Sequence, residues 1–343
     1  KRQIISLLYF QQSIKNKNVR RKAVKKRNVF IIILIIASII SVMLGAQDFS
    51  LKKALVIGSA DNQLLIYSRI PRLLAVLVTG AGLSISGKIM QTMTGNRFVS
   101  PTTAGTMEWC KFGILLSILF FGGQSMMMKM MFAFIIALLG SLLFVQLLQR
   151  IPLKSPVMVP LIGLMLGNVV SSLTAYVAFQ YDLVQNISSW LQGNFSLVVK
   201  GRYELLYLGI PFVILAYLYA KKFTIAGMGE SFAKNLGLNY KFITIVGFVI
   251  VAFLASIITV SVGSIAFLGL IIPNIISIYF GDDLKHTLFD TALLGGIFLL
   301  FCDILSRIIV YPYEVSVSVI VSVLGGAIFL FLLFQKNKEG GTV

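Results

Sequence analysis

The sequence predicts an all-α polytopic membrane fold of about ten transmembrane helices, on three observations. Apolar residues make up 57% of the 343 positions and charged residues only 12%, half the roughly 25% charged content of soluble domains. Apolar runs close to the ~20 residues needed to cross a ~30 Å hydrocarbon layer recur along the whole chain, most clearly Val29 to Gly45, Leu73 to Ile89, Met126 to Leu148 and Phe242 to Val260. The basic residues fall mainly between these runs, where they orient helices. The net charge of +18 therefore does not point to nucleic acid. Ten-residue alternating segments of barrel type are missing, and only helices satisfy their own backbone groups in lipid.

Taken in order, the chain opens on a basic tail, residues 1–28, that holds ten of its thirty lysines and arginines. The apolar run after Arg27 exceeds the ~7–15 residues of a signal-peptide core and lacks a small-residue cleavage site, which predicts a retained first span and a cytoplasmic N-terminus. Spans are expected at 29–48, 67–92, 102–121, 126–149, 156–180, 203–221, 240–261, 264–281, 287–308 and 313–335, all in one transmembrane domain, 29–335. A cytoplasmic tail, 336–343, closes the chain. The longest internal polar stretches, 181–202 and 222–239, are too short to fold as separate domains.

With the N-terminus inside, loops after even-numbered spans should carry the basic excess. Twenty lysines and arginines fall on that side, and eight fall on or near the other: Lys52, Lys53, Arg69, Arg72, Lys129, Lys200, Arg202 and Arg307. Lys88 and Lys111 lie within spans.

Several short features carry chemistry. Arg69-Ile-Pro-Arg72 stands at the outer end of the second span, where cations are disfavoured; the arginines either snorkel to headgroups or bind an acidic partner. Arg307 repeats the pattern near the outer end of the ninth span, with Asp303 at i,i+4 to orient it. Gly82-Leu-Ser-Ile-Ser-Gly87-Lys88-Ile89 nearly spells a phosphate-binding loop, but Ile89 fills the place of the required Ser or Thr and no strand precedes it. The glycines are read instead as close helix contacts, as are Gly163 and Gly167. Glu108 and Lys111, at i,i+3 inside the third span, form an intramembrane ion pair on this reading, either structural or functional. The segment Gly227 to Gly237 is a short amphipathic stretch on the cytoplasmic side, with Phe232, Ala233 and Leu236 expected on one face. It either lies at the membrane interface or docks into a partner's groove. His286 reads as a solvated loop residue, and Cys110 and Cys302 as small apolar residues rather than a disulfide or metal pair.

These residues resemble the permeases of iron-siderophore and cobalamin ABC importers over most of the chain. The match comprises Arg69-Ile-Pro-Arg72-Leu-Leu-Ala; Thr79-Gly-Ala-Gly-Leu-Ser-Ile-Ser-Gly87 with Gln91; Asn96 and Pro101; Trp190-x-x-Gly193; Gly229-Glu230-x-x-Ala233-x-x-Leu236-Gly237; Gly263 through Pro273; and Asp303-x-x-x-Arg307 with Glu314. The resemblance implies a ten-span subunit of the bacterial cytoplasmic membrane that pairs with a second permease, identical or homologous. It implies two ATPase subunits, which hold ATP and Mg, and an extracytoplasmic siderophore-binding protein; this chain itself would bind no cofactor or metal and perform no catalysis. Arg69, Arg72 and Arg307 match the arginines that contact acidic residues of the binding protein. Gly229, Glu230, Ala233, Leu236 and Gly237 match the coupling helix that inserts into the ATPase. Asn96-Arg-Phe-Val, Pro273-Asn274 and Glu314-Val-Ser-Val-Ser depart from the common pattern, and Pro101-Thr-Thr-Ala-Gly-Thr-Met-Glu-Trp109 looks like a siderophore branch rather than a cobalamin one. The alternative is a secondary transporter driven by an ion gradient, for which Glu108 is the internal acid to consider.

Overall fold

The computed structural model describes residues 27–45, 53, 56, 58–150, 158–201 and 203–339. Most of the basic tail, Lys52, Lys154, Arg202 and residues 340–343 lie outside the described residues.

Among the described residues all regular structure is helical. The long helices follow the expected order: α1 (Arg27–Met43), α2 (Ala60–Thr94), α3 (Thr106–Phe121), α4 (Met126–Arg150) and α5 (Met158–Gln180). A short helix, α6 (Val184–Trp190), precedes α7 (Gly209–Gly227). Another short helix, α8 (Glu230–Asn235), leads into α9 (Tyr240–Val262), α10 (Leu268–Phe280), α11 (Leu284–Ile308) and α12 (Val317–Glu339).

Among the described residues seven helices are long and apolar enough to cross a membrane by themselves, whereas α1, α3 and α10 fall short. Two of the short ones have clear causes. The run expected at 102–121 opens as a tight 3-10 turn, Pro101–Ala104, and Gly105 at φ 76° then re-aims the chain, so α3 starts only at Thr106. The run expected at 264–281 begins irregularly, with Phe267 at φ 64° before α10. By contrast α2 begins seven residues before the expected 67, because Ser59 accepts from the Asn62 amide and caps a polar first turn. It passes through a π-helical turn, Leu65–Arg69, just before Pro71. Proline donates no backbone hydrogen bond, and a local change of helical register accommodates that loss. The last helix also continues to Glu339, through the start of the expected tail.

Helices in lipid gain little from hydrophobic burial against one another and associate through close packing of small residues. The core of this bundle shows that logic. α2 and α9 are 72% buried in their most apolar windows, against 17% for α12, so α2 and α9 lie at the centre and α12 at the periphery. The near phosphate-loop is ordinary helix in α2, and a Cβ on Gly87 would stand 1.8 Å from the Gly269 carbonyl oxygen of α10. Seven residues earlier, a Cβ on Gly80 would stand 2.6 Å from the Gly295 oxygen of α11. The two glycines thus let α10 and α11 reach the α2 backbone in succession. Gly105 meets Gly163 and Gly167 of α5 in the same way. Cys110 and Cys302 are fully buried.

Candidate functional site

Among the described residues, two clusters of buried charged side chains mark the two ends of α2. Arg72 and Lys88 are 16 residues apart on one helix, or about 24 Å at 1.5 Å per residue.

At the Arg72 end, the π-helical turn and Pro71 set Arg69 and Arg72 facing inward rather than splayed on the surface. Arg72 is 8% exposed. Its Nε and Nη2 donate to Asp303 Oδ1 at 3.1 and 2.9 Å, and its Nη1 donates to both Glu314 oxygens at 2.9 and 2.8 Å. Arg307, 7% exposed, donates from Nη1 to the carbonyls of Ser41 and Leu44 at 2.7 and 3.0 Å, and from Nη2 to Ser41 Oγ at 3.1 Å and to Asp303. Arg69 donates to the Val42 carbonyl. The three arginines singled out from sequence therefore belong to one cluster that ties α1, α2, α11 and the segment before α12 together. Asp303, 0% exposed, is its centre and orients Arg307 across one helical turn. Ser41 and Glu314 complete it. Glu314 carried only a motif in the sequence, and Ser41 carried nothing, because both lie far along the chain from the arginines they meet.

Next to this cluster the loop ends interlock. Trp190 Nε1 donates to the Val260 carbonyl at 2.9 Å and the Ser264 amide to the Leu191 carbonyl at 3.1 Å. The hydroxyls of Ser316 and Ser318 donate to the Gln192 carbonyl. The Trp190-x-x-Gly193 segment is thus a junction between α6, the end of α9 and the start of α12.

At the other end, Gly229, Glu230, Ala233, Leu236 and Gly237 form α8 and its borders. The Gly237 amide donates to the Lys234 carbonyl at 2.9 Å and the Leu238 amide to the Ala233 carbonyl at 3.0 Å. This double closure requires a left-handed residue, and Gly237 has φ 75°. Glu230 pairs with Lys234 at 2.7 Å. The expected shared face of Phe232, Ala233 and Leu236 does not form: Ala233 is fully buried while Phe232 and Leu236 are 44% and 56% exposed. A helix of six residues points one small side chain at the α7–α9 base and leaves its i,i+4 apolar pair outward, beside Met228 at 62%.

Beside α8 lies a cavity of about 390 Å³ lined by Lys88, Arg97, Gly227, Met228, Ser277 and Asp282, among others. Lys88, 2% exposed, donates to Ser277 Oγ at 2.5 Å and to Asp282 at 3.2 Å, and Arg97 donates to the same carboxylate at 3.0 Å. Burial is the largest single influence on Asp282 and raises its pKa, but the Ser277 hydroxyl, Lys88 and Arg97 together outweigh it and hold the carboxyl below its usual range. The sequence placed Lys88 in a span without a partner, since Ser277 and Asp282 are almost two hundred residues away. Arg27 likewise pairs with Asp290 at 2.8 Å. His286 is exposed, with Nε2 3.7 Å from Asp283.

Glu108 and Lys111 form a separate pair at the start of α3. Lys111 Nζ lies 2.7 Å from Glu108 Oε2, with both side chains about a quarter exposed (24% and 29%), and Glu108 packs beside Gly167 of α5.

The chain matches a model described as the FecCD transport family over residues 33–335. The petrobactin import system permease of Bacillus subtilis is 52% identical over 313 residues, covering 91% of this chain and 99% of that protein. The ferric-anguibactin transport system permease of Vibrio anguillarum is 40% identical over 274 residues, 80% of this chain and 87% of that one. The ferric enterobactin permease of Escherichia coli is 31% identical over 320 residues, 90% and 95%. In fold, the chain is similar to a solved inward-facing metal-chelate type ABC transporter, with TM-score 0.81 and 24% identity over 91% of this chain and 99% of that one.

Proposed function

The chain belongs to the FecCD transport family, and from that premise we propose that it is the permease subunit of an ATP-driven importer carrying an iron-siderophore complex across the bacterial cytoplasmic membrane. The observation that carries the cargo class is the 52% identity to a petrobactin permease over 99% of that protein's length. The anguibactin and enterobactin relatives have cargoes of the same chemical class.

In this reading both termini are cytoplasmic, the Arg72 end faces outward and α8 faces the cytoplasm. The chain pairs with a second permease, and two ATPase subunits supply ATP and Mg chemistry. This chain makes and breaks no covalent bonds. Its part is to take loaded binding protein at Arg69, Arg72 and Arg307 and to pass ATPase closure through α8 to the helices. The outward Phe232 and Leu236 with Met228 suit a short helix seated in an apolar groove. Ala233 under them fixes α8 to the α7–α9 base, so a push on α8 moves long, rigid helices rather than a loop.

Glu230→Lys tests the coupling. It removes the pair with Lys234 and sets two like charges at i,i+4 on a six-residue helix. With the chain at normal membrane levels, uptake of ferric siderophore by cells is expected to fall at least about tenfold, and ATPase copurification to fall with it. Uptake at the unaltered level would remove α8 from the mechanism.

A further inference from the structure

The arginines assigned to docking are not an open cationic surface. Arg72 and Arg307 are 8% and 7% exposed and already hold carboxylates of their own chain. An acidic partner can reach Arg72 only by replacing one of them. The two candidates differ sharply. Asp303 is 0% exposed and shared with Arg307, whereas the Glu314 side chain is 23% exposed and lies in the non-helical segment just before α12.

Their geometries differ as well. Both Glu314 oxygens draw on one nitrogen, Nη1. A guanidinium binds a carboxylate best through two parallel N–H···O bonds from two nitrogens, so Glu314 holds Arg72 in a less favourable arrangement than an incoming carboxylate could adopt. Were Glu314 to leave, Arg72 and Arg307 would share Asp303 alone, two buried guanidiniums on one carboxylate. That is a strongly favoured position for an added carboxylate.

We propose that Glu314 is an internal placeholder, occupying the Nη1 edge of Arg72 until a carboxylate of the docked extracytoplasmic protein takes that edge. This rests on the docking role given above to Arg72. The exchange has a structural consequence. The Val315 amide donates to the Ser306 carbonyl at 3.0 Å, and Ser316 and Ser318 bind the Gln192 carbonyl. Glu314 is therefore the charged anchor of a short segment that also fastens α12 to the Trp190–Gly193 junction. α12 is the least buried of the seven helices long enough to span a membrane, so these fastenings hold much of its first turn. Release of Glu314 loosens α12 and α6 together on the face where cargo arrives, and the docked partner's acid becomes the trigger for opening that face.

The test is the affinity of the assembled transporter, in nanodiscs, for the binding protein that copurifies with it. Glu314→Gln keeps the shape of the side chain and removes its charge. It is expected to bind about tenfold tighter than the parent, because the partner displaces no anion, while Arg72→Ala binds at least about tenfold weaker. Weakened binding by Arg72→Ala with unchanged or weaker binding by Glu314→Gln overturns the exchange and leaves docking at Arg72 standing. Unchanged binding by Arg72→Ala overturns both. Should Glu314→Gln fail to assemble, hydrogen exchange on the unaltered complex decides: docking is expected to speed exchange of the amides of residues 310–316, and unchanged or slowed exchange there overturns the proposal.

Discussion

Asp303→Ala is expected to destabilise the folded chain by about 3–5 kcal/mol, the cost of breaking a buried charge network by removing one partner. The carboxylate is fully buried and accepts from Arg72 twice and from Arg307. Its loss leaves the Arg307 guanidinium on the Ser41 and Leu44 groups alone and gives Arg72 only Glu314. Reversible unfolding of the purified chain in mixed detergent micelles measures the effect. Adding Arg307→Met to Asp303→Ala is expected to recover part of the loss, since an unpaired buried cation is then replaced by an apolar side chain of similar length. A loss below about 1 kcal/mol for Asp303→Ala would mean that water reaches the cluster and screens it, as it does a surface pair.

The second large effect is steric. Gly87→Leu drives a Cβ to 1.8 Å from the Gly269 oxygen and 2.5 Å from its carbonyl carbon, and backbone cannot step aside as a side chain can. The expected cost is about 3 kcal/mol or more, at the upper limit of overpacking penalties, read as loss of properly inserted protein in membranes and a lowered unfolding midpoint for what remains. Gly87→Ala suffers the same contact and is expected to lie between the two. Gly123→Ala serves as the control, because a Cβ there meets nothing within 4 Å.

The long elements were legible because lipid imposes one rule on composition and length. Apolar runs gave helices in the expected order, and the near phosphate-loop was correctly set aside because Ile89 stands where a hydroxyl is needed. What escaped was of two kinds. Local backbone events moved boundaries: the 3-10 turn at Pro101 and the left-handed Phe267 shortened two helices, and both depend on neighbours that no periodicity reports. Long-range pairing was the other kind. Lys88 with Asp282, Arg27 with Asp290, and Arg72 with Glu314 join residues far apart in sequence, so nothing local reports that these charges meet. Asp303 with Arg307 was readable, because one helical turn puts the two side chains in contact. The shared face expected for α8 missed for a different reason: a six-residue helix buries by what lies beneath it, and only Ala233 is beneath.

The central claim is that this chain moves its cargo on energy supplied by ATPase partners and not by an ion gradient across its own spans. Proteoliposomes holding the chain with its second permease and ATPase subunits, given a ferric siderophore and its binding protein, measure this directly. With ATP available to the ATPases and all ion gradients collapsed by ionophores, uptake is expected to continue at its full rate, and without ATP it is expected to stop whatever gradient is imposed. Uptake driven by a proton or sodium gradient in vesicles without ATP would contradict the account, and Glu108 would then be the first residue to examine.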